Sequence, residues 1–313
     1  MANAPFPIRS DLTAIAIAYK NQDVDLIADK VMPIVPVGKQ EFEWILHTLE
    51  ESYTVPDTSV GRKGRPNEVD FSAQRQASFT LDYGLDDPIP QNDIDNAPPN
   101  YDPLGRAAEG LMDLILLDRE VRVSNLVFND ANYLAANIQD LSAGGGVAQF
   151  NNDAANPIKT IQNAMNQTIM RPNIMVIGRD ALTGLASNPF VVQAYNRNAG
   201  SGGIVPEEFI ANLFGLQELL IGEARINRNA KGQAANIQRA WGKNISLLYR
   251  NRVADNLRGM TWGFTAQWGT RFAGSKPDSG IGLMGGQRVR AGMRCREVVA
   301  AAPAGFYLKN VVV

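Results

Sequence analysis

The sequence contains very little cysteine and histidine: Cys295 and His47 are the only residues of either type among 313. A single cysteine excludes an internal disulfide and is typical of proteins in a reducing compartment. One cysteine and one histidine are also too few to build a zinc site from those ligands alone. We therefore expect no disulfide framework, no metal centre and no cofactor.

Long apolar runs and a strong excess of one charge are also missing. No apolar stretch approaches the roughly 20 residues that span a bilayer, and the N-terminus lacks the features of a signal peptide, so no membrane partner is expected. The chain has 30 basic and 32 acidic residues, a formal charge of −2. Dedicated nucleic-acid-binding proteins normally have a strongly basic face, so this balance argues against that class without excluding proximity to DNA.

The chain does contain enough apolar material for a core. Apolar residues make up 45% and charged residues 20% of the sequence, close to the values of ordinary soluble proteins. A chain of 313 residues can form one large domain or two of ordinary size. Helical and strand patterns are mixed along it, which predicts an α+β fold.

A polar excursion between two alternating stretches dominates the first part of the chain. "KQEFEWILHTLEES" and "EVDFSAQRQASFTLDYGL" alternate apolar and polar residues, as strands do, and they flank "SYTVPDTSVGRKGRPNEVDFS". Two strands of about 15 residues would each be about 50 Å long. A compact chain of this length has a radius of gyration of only about 20 Å. We therefore predict a hairpin over about 39–85 that projects from the body.

Residues 1–38 precede this hairpin and are predicted to form an arm. "SDLTAIAIAYK" begins with a Ser10/Asp11 cap and is expected to be a short helix. In "LIADKVMPIVPVGKQ", Pro33 and Pro36 impose an extended path, which is more typical of an arm than of a core.

A long helix is predicted after the proline-rich connector that follows the hairpin. Asp102 and Pro103 form a helix cap with proline at the first helical position. Apolar residues then recur at steps of three and four with no interrupting proline. The pattern predicts one helix over about 103–138 with a length of about 50 Å.

The second half alternates helices and strands. Helices are predicted for "NPIKTIQNAMNQ", for "RDALTGLASNPFVVQAYN" with an interruption at Pro189, and for "IVPEEFIANLFG" ending at Gly215. "NIMVIG" is predicted to be a short buried strand. Further strands are predicted in "ELLIGEARIN", "IQRAWGKNISLLYR", "MTWGFTAQW", "QRVRAGMRCREVVAAA" and "GFYLKNVVV".

Few residue patterns point to chemistry. "GIGLMG" has the spacing of a dinucleotide-binding loop, but it lacks the following helix and acidic residue, so we interpret it as a flexible connection between strands. His47 has no candidate partner for catalysis and is expected at a surface or interface, and Cys295 is expected to be a buried structural thiol. The acidic pairs are interpreted as turn and cap formers: Asp86/Asp87 and Asp93/Asp95. No catalytic residue is predicted, and the chain is not expected to be an enzyme.

The tip of the predicted hairpin carries a short basic cluster, Arg62, Lys63 and Arg65. Such a cluster can bind a polyanion or act as a nuclear-localisation signal. Because this one is short and is flanked by Asp57 and Glu68, we favour a contact with an acidic neighbour. Each exposed ion pair contributes only modestly, so many symmetric copies would be needed for the contact to matter.

The order of elements along the chain is specific. "IADKVMPIVPVGKQEFEW" is followed by "RPNIMVIGRDALTGLASNPFVVQAYN", "GGIVPEEFIANLFGLQELLIGEARIN", "RAWGKNISLLYR" and "TWGFTAQW". This order resembles that of the major capsid proteins of tailed bacteriophages, which have the Hong Kong phage-type fold. The matching features are a strand that leads into a helix at 174–178, a helix and strand at 207–215 and 221–224, and a Trp-Gly strand at 241–242.

The resemblance implies a shell protein with defined parts. These would be the N-terminal arm (1–38), the extended β-hairpin loop (39–85), the peripheral domain (86–199) with a long spine helix (about 103–138), the axial domain (200–266) and strands returning to the peripheral domain (267–313). Hexamers and pentamers of the chain would form an icosahedral head, the virion shell, around double-stranded DNA that they contact non-specifically. Arg62, Lys63 and Arg65 would then contact a neighbouring subunit.

The resemblance also implies partners. Some relatives carry a scaffolding segment before the arm, whereas this chain begins almost directly with the arm, so a separate scaffolding protein is expected. A portal protein is expected in the same head, a decoration protein is an open option, and assembly is expected in the cytoplasm of a bacterial host. Some relatives crosslink a loop lysine to an asparagine. Lys63 and Asn310 lie in suitable regions, but no glutamate is identified to promote the reaction.

Two other functions stay open at this point. Encapsulins are bacterial nanocompartment shells of similar fold, and a groove for a cargo peptide would favour that alternative. A soluble α+β enzyme that uses His47 or the "GIGLMG" loop is the alternative from another class, and it would behave as a small species that binds a nucleotide.

Overall fold

The computed structural model describes residues 26–47, 53–69, 73–98, 101–197, 200, 202–229, 232–251 and 259–313. The helices in these ranges are α1 (Ala28–Val31), α2 (Gln91–Asp95), α3 (Pro103–Val127), α4 (Pro157–Gln167), α5 (Arg179–Ser187), α6 (Pro189–Tyr195) and α7 (Glu207–Phe214). The strands are β1 (Ile34–Val37), β2 (Glu41–His47), β3 (Ala73–Phe79), β4 (Leu81–Pro90), β5 (Ile138–Asp140), β6 (Ile174–Gly178), β7 (Glu218–Gly222), β8 (Arg225–Asn227), β9 (Ile237–Arg239), β10 (Ile245–Leu248), β11 (Gly263–Trp268), β12 (Phe272–Asp278), β13 (Gly286–Val299) and β14 (Gly305–Lys309). The α+β class predicted from the sequence is confirmed.

The first sheet is built around β13. One edge of β13 pairs antiparallel with β4, and its other edge pairs first with β12 and then with β11. The parallel strand β1 completes the sheet beside β11. Alternate residues of β13 face α3, and a buried cluster that includes Met112, Ile115, Val289 and Met293 lies between helix and sheet. The burial of this apolar layer holds the long helix along the sheet.

The second sheet has the order β5-β14-β10-β6-β7. β6 is buried at every residue and lies between β7, which is parallel to it, and the antiparallel β10. Helices α4 to α7 pack against this sheet and bury a core that includes Ile161, Leu185, Ile210 and Phe306. The predicted buried strand and the predicted helices of this region are confirmed, including the break at Pro189 and the left-handed Gly215 after α7.

The long helix is shorter than predicted. α3 has 25 residues, about 37 Å at 1.5 Å per residue, and it ends at Val127 rather than near residue 138. The Asn129 side chain accepts a hydrogen bond from the Ala131 amide (3.0 Å), and the Tyr133 hydroxyl donates to the carbonyl of Val127 (2.7 Å). These side chains satisfy backbone groups at the helix end, so the helix stops there and a 3₁₀ turn follows.

The hairpin strands are also shorter than predicted. β2 and β3 pair over seven residues each, from Glu41 opposite Phe79 to His47 opposite Ala73. At Thr80 the chain leaves this pairing, and β4 joins β13 for ten residues. The prediction of two strands of about 15 residues was therefore wrong, because residues 81–85 of the second alternating stretch pair with β13 in another sheet.

The segment before the hairpin belongs to the core rather than to an arm over residues 26–37. Ile27, Val31 and Met32 are fully buried, and Val35 and Val37 lie in the apolar cluster beside β11. Pro36 is tolerated because it lies in β1, which pairs with one neighbour, β11, among the described strands. The helix expected in "SDLTAIAIAYK" lies outside the described residues.

Candidate functional site

The basic cluster lies on a β-turn at the tip of the loop between β2 and β3. The amide of Gly64 donates a hydrogen bond to the carbonyl of Gly61 (2.8 Å), which places Arg62 and Lys63 at the two central positions of the turn. Arg65 follows directly after the turn, and all three side chains are exposed. The structure therefore brings the three predicted residues together at one point.

Asp57 shapes the base of this turn. Its carboxylate accepts a hydrogen bond from the Ser59 amide (2.9 Å), which holds its pKa below the usual range, and its carbonyl accepts one from Asn67 Nδ2 (2.7 Å). The second bond joins the two sides of the loop ten residues apart. Asp57 thus acts as a turn former and, within the described residues, pairs with none of the three cations.

The described part of the loop between β2 and β3 lies at the surface of the subunit. All of residues 53–69 are exposed, and Arg62, Lys63 and Arg65 make no ion pair with another described residue. The Tyr53 hydroxyl approaches Met170 Sδ of the body at 4.0 Å. Since residues 53–69 are exposed, most of this segment is accessible to another molecule.

The base of the hairpin, in contrast, is firmly anchored. Phe42 and Trp44 of β2 pack edge-on against Phe264 of β11, with ring centroids 6.4 and 6.2 Å apart. These rings join the apolar cluster that contains Val35, Val37 and Val298. A rigid base with strands of about 23 Å then carries the exposed turn outward.

The other residues singled out from the sequence occupy positions that the fold itself explains. Cys295 is fully buried under α3, and burial raises the pKa of its thiol to about 12, as expected of a structural cysteine. "GIGLMG" connects β12 to β13, as predicted, but it is not a loose connection, because Ile281 is buried and the Gly285 carbonyl accepts a hydrogen bond from the Gln91 amide (2.9 Å). His47 ends β2. Within the described residues, no group of His, Cys, Asp and Glu side chains could hold a metal ion, and no helix could span a membrane.

Neither acidic pair occupies the turn or cap positions that were predicted. Asp86 and Asp87 lie in β4 rather than in a turn, and Asp86 accepts two hydrogen bonds from Arg290 on β13 (2.6 and 2.7 Å). This ion pair lowers the pKa of Asp86. Asp93 and Asp95 lie in the short α2, where Asp95 accepts a bond from Gln91 Nε2 (2.8 Å).

A buried polar cluster on α3 was not predicted from the sequence. The carboxylate of Glu120 accepts bonds from the amides of Ile27 (2.9 Å) and Ala28 (2.8 Å) and from Trp241 Nε1 (2.6 Å). Burial raises its pKa despite these donors. The signal was present, since Glu120 lies four residues after the buried Leu116 and three before the buried Val123, in phase with the apolar face.

Comparison with protein-family models finds no match to this chain. A curated relative, the major capsid protein of Pseudomonas phage JBD67, is 51% identical over 312 residues, which cover 100% of this chain and 99% of the relative. The major capsid protein of Burkholderia phage BcepMu is 29% identical over 241 residues, 76% of this chain and 75% of that one. These relatives are structural proteins, which confirms the prediction that the chain is not an enzyme.

Solved structures confirm the fold. A phage-related protein from Bordetella bronchiseptica superposes with a TM-score of 0.74 at 17% identity, over 98% of this chain and 99% of that chain. The capsid of cyanophage P-SCSP1u gives 0.60 at 10% identity, over 93% and 90%. An encapsulin from Synechococcus elongatus gives 0.52 at 12% identity, over 94% and 90%, so the fold alone does not separate the two kinds of shell.

The sequence relatives distinguish the phage head from the encapsulin shell. Identity of 51% over the whole chain connects this protein to a phage head rather than to a nanocompartment. The chain belongs to the major capsid proteins of tailed bacteriophages, structural proteins that assemble with copies of themselves into the shell of the virion.

Proposed function

We propose that the loop between β2 and β3 is the extended loop of the shell subunit and that Arg62, Lys63 and Arg65 bind an acidic surface of the neighbouring copy. The observation that carries this proposal is the contrast between the anchored base of the hairpin and its exposed tip. The three cations lie on one turn and make no ion pair with the described part of their own chain. They therefore form a basic surface that is available to bind another molecule.

The chain offers an acidic counterpart on its own surface. Residues 91–113, which run through α2 into the first half of α3, contain five acidic residues and one basic residue, a net charge of −4. Asp93, Asp95 and Asp102 are exposed. The charge of the tip, +3, is complementary to this acidic stretch, so a second copy of the chain can supply both halves of the contact.

Charge reversal tests the contact. The triple variant R62E/K63E/R65E is expected to assemble poorly in electron micrographs and light scattering, while its circular dichroism and thermal unfolding match those of the wild type. The control R62K/R65K keeps the charge of +3 and should assemble normally. Adding D93K/D95K to the triple variant should restore part of the assembly. Equal assembly of the wild type and the triple variant would exclude the proposed contact.

We also propose that the subunit is divided as the family implies, into arm 1–38, extended loop 39–85, peripheral domain 86–199, axial domain 200–266 and return strands 267–313, with two bounds corrected: the free arm ends before residue 26 and the hairpin of the loop ends at Thr80. The core position of residues 26–37 means that only the part before residue 26 can act as a free arm. Limited proteolysis supports this division if cleavage occurs first before residue 26 and within 53–69.

The remaining partners follow from the same proposal. Hexamers and pentamers would form in the host cytoplasm around a separate scaffolding protein and a portal, then enclose double-stranded DNA through non-specific contacts, with a decoration protein as an optional addition. A net charge of −2 suits such a shell, since a strongly basic inner wall would bind the genome tightly during packaging. Expression with and without the scaffolding protein, followed by negative-stain microscopy, tests whether closed shells depend on it.

A further inference from the structure

Residues 26–32, here called the strap, connect the proposed free arm to β1. The strap contains α1 and ends before β1, so the strand pairing of β1 with β11 begins only after it. Ile27, Val31 and Met32 of the strap are buried. Apolar burial is not directional, so these side chains alone do not fix where along α3 the strap lies. Its position depends on directional polar contacts.

Two charged side chains of the body bind the backbone of the strap. The carboxylate of Glu120 on α3 accepts bonds from the amides of Ile27 (2.9 Å) and Ala28 (2.8 Å). Arg250, which is buried, donates a bond to the carbonyl of Lys30. These bonds use groups that every residue of the strap has. They hold the strap close to α3 without selecting which of its residues lie there.

The side chain of Asp29 makes a contact that is specific to its residue type. One carboxylate oxygen forms an ion pair with Arg119 of α3. The other accepts a bond from Arg271, the residue before β12, at 3.4 Å. The side chain of Arg119 is 1% exposed, whereas that of Asp29 is half exposed. The strap thus presents a carboxylate from the surface to a buried arginine, and this carboxylate bridges two elements of the body.

The charge of Arg119 depends on Asp29 for much of its compensation. Arg119 Nε lies 3.6 Å from the buried carboxylate of Glu297, but Glu297 also pairs with Arg122 at 3.0 Å. Loss of Asp29, or a shift of the strap by one residue, would leave these two arginines to share one buried carboxylate. A buried charge without a full partner is costly, so the ion pair with Asp29 permits one register of the strap on α3.

We infer that Asp29 is a positioning residue for assembly, because it locks the strap in one register on α3 and so fixes the point from which the arm leaves the subunit. This inference rests on the proposed function, which gives the subunit a free arm, and it adds the residue that sets where that arm begins. A slip of one residue moves the chain by about 3.5 Å, which is more than a hydrogen bond or an ion pair tolerates. An arm displaced in this way misses the contacts that it makes in the shell.

Hydrogen exchange tests the lock in the free subunit. D29N keeps the size of the side chain and removes its charge, so the amides of Ile27 and Ala28 are expected to exchange about tenfold faster or more. D118N is the matched control, because Asp118 also pairs with an arginine, Arg122, but both partners belong to α3. The strap of D118N should exchange as in the wild type. Equal exchange in D29N and the wild type would overturn the lock.

A double variant separates positioning from stability. D29N/R119M removes both charges of the ion pair, so its thermal unfolding is expected to return to that of the wild type. Its yield of closed shells with the scaffolding protein should stay about tenfold lower, because the strap still lacks its lock. D118N should assemble normally. If the double variant recovers shells together with stability, Asp29 only balances a charge and the positioning role is wrong.

Failure of the shell function would give a different result from failure of this inference. If the wild type and D29N form shells equally well although the strap of D29N exchanges faster, the shell function stands and the positioning role is overturned. If the wild type forms no shells with its scaffolding protein, the shell proposal fails, and the role of Asp29 in assembly fails with it. The exchange comparison decides in either case whether Asp29 locks the strap.

Discussion

Trp241 donates its indole N–H to the carboxylate of Glu120 over 2.6 Å, with both side chains fully buried. The same carboxylate accepts the amides of Ile27 and Ala28, so one side chain of α3 connects the N-terminal segment, the long helix and the turn before β10. Three donors reach one buried acceptor group from two distant segments of sequence. Glu120 therefore holds parts of the fold that no strand pairing joins directly.

Removal of this carboxylate should destabilise the subunit strongly. E120A leaves three buried donors without an acceptor, and we expect a loss of about 3 kcal/mol or more in the free energy of unfolding. Urea unfolding measured by circular dichroism gives the value. E109A, on the same helix but with a partly exposed ion pair to Arg106 (3.8 Å), is the control and should change it by about 0.5 kcal/mol or less. Equal effects of the two variants would contradict the role assigned to Glu120.

The stability contribution of Glu120 should depend on pH with a defined sign. Burial raises its folded-state pKa above the usual value of 4.5, so the folded chain takes up a proton at higher pH than the unfolded chain does. Between the unfolded-state and folded-state pKa values of Glu120, lowering the pH therefore raises the free energy of unfolding. Below about 4.5 the contribution of Glu120 to that free energy is constant.

The comparison with E120Q isolates this contribution. Other carboxylates respond in the opposite direction: the pKa values of Asp86 and Asp278 are lowered by Arg290 and by Gly280 and Arg288, so their contributions are lost at low pH. These contributions are common to the wild type and E120Q and cancel in the difference. The wild type should gain stability relative to E120Q as the pH falls from neutral towards 4.5. A constant difference over that range would show that Glu120 does not titrate above its usual pKa.

A glycine beside Trp241 should tolerate no side chain. A Cβ at Gly222 would lie 2.0 Å from Trp241 Cγ, so G222A must displace a buried indole and is expected to cost about 3 kcal/mol. Gly110 is the control, because a Cβ there meets nothing within 4 Å and the residue lies in α3. G110A should raise the free energy of unfolding by about 0.5 to 1 kcal/mol. If G222A were neutral, the packing of the two segments would be looser than the structure shows.

Local sequence patterns correctly predicted the helices and strands that a few neighbouring residues are enough to define. The alternation in β2, the buried run of β6 and the proline that begins α6 are all visible in a few neighbouring residues. The end of the hairpin at Thr80 is not visible in the local pattern, because the alternation of residues 81–85 would fit a longer hairpin equally well. Their partner, β13, lies about 200 residues away, and only its pairing decides where the hairpin ends.

The basic turn could be predicted from the sequence, whereas the surface proposed to bind it could not. Glycines on either side of Arg62 and Lys63 predict a turn, and the turn is present. The surface that we propose for this turn belongs to another copy, so no pattern within one subunit would specify it. The buried donors around Glu120 are a similar case, because the amides of Ile27 and Ala28 reach it only after the chain has folded.

Cys295 provides a reporter of unfolding. Its thiol is fully buried, and burial raises its pKa to about 12. At pH 8 the buried thiol is therefore far less ionised than an ordinary exposed thiol. The native chain should therefore react with a disulfide reagent only as it opens, and E120A should accelerate the reaction by the same factor by which it raises the population of the open form. Rapid labelling of the folded wild type, at the rate of a free thiol, would contradict the burial of Cys295 beneath α3.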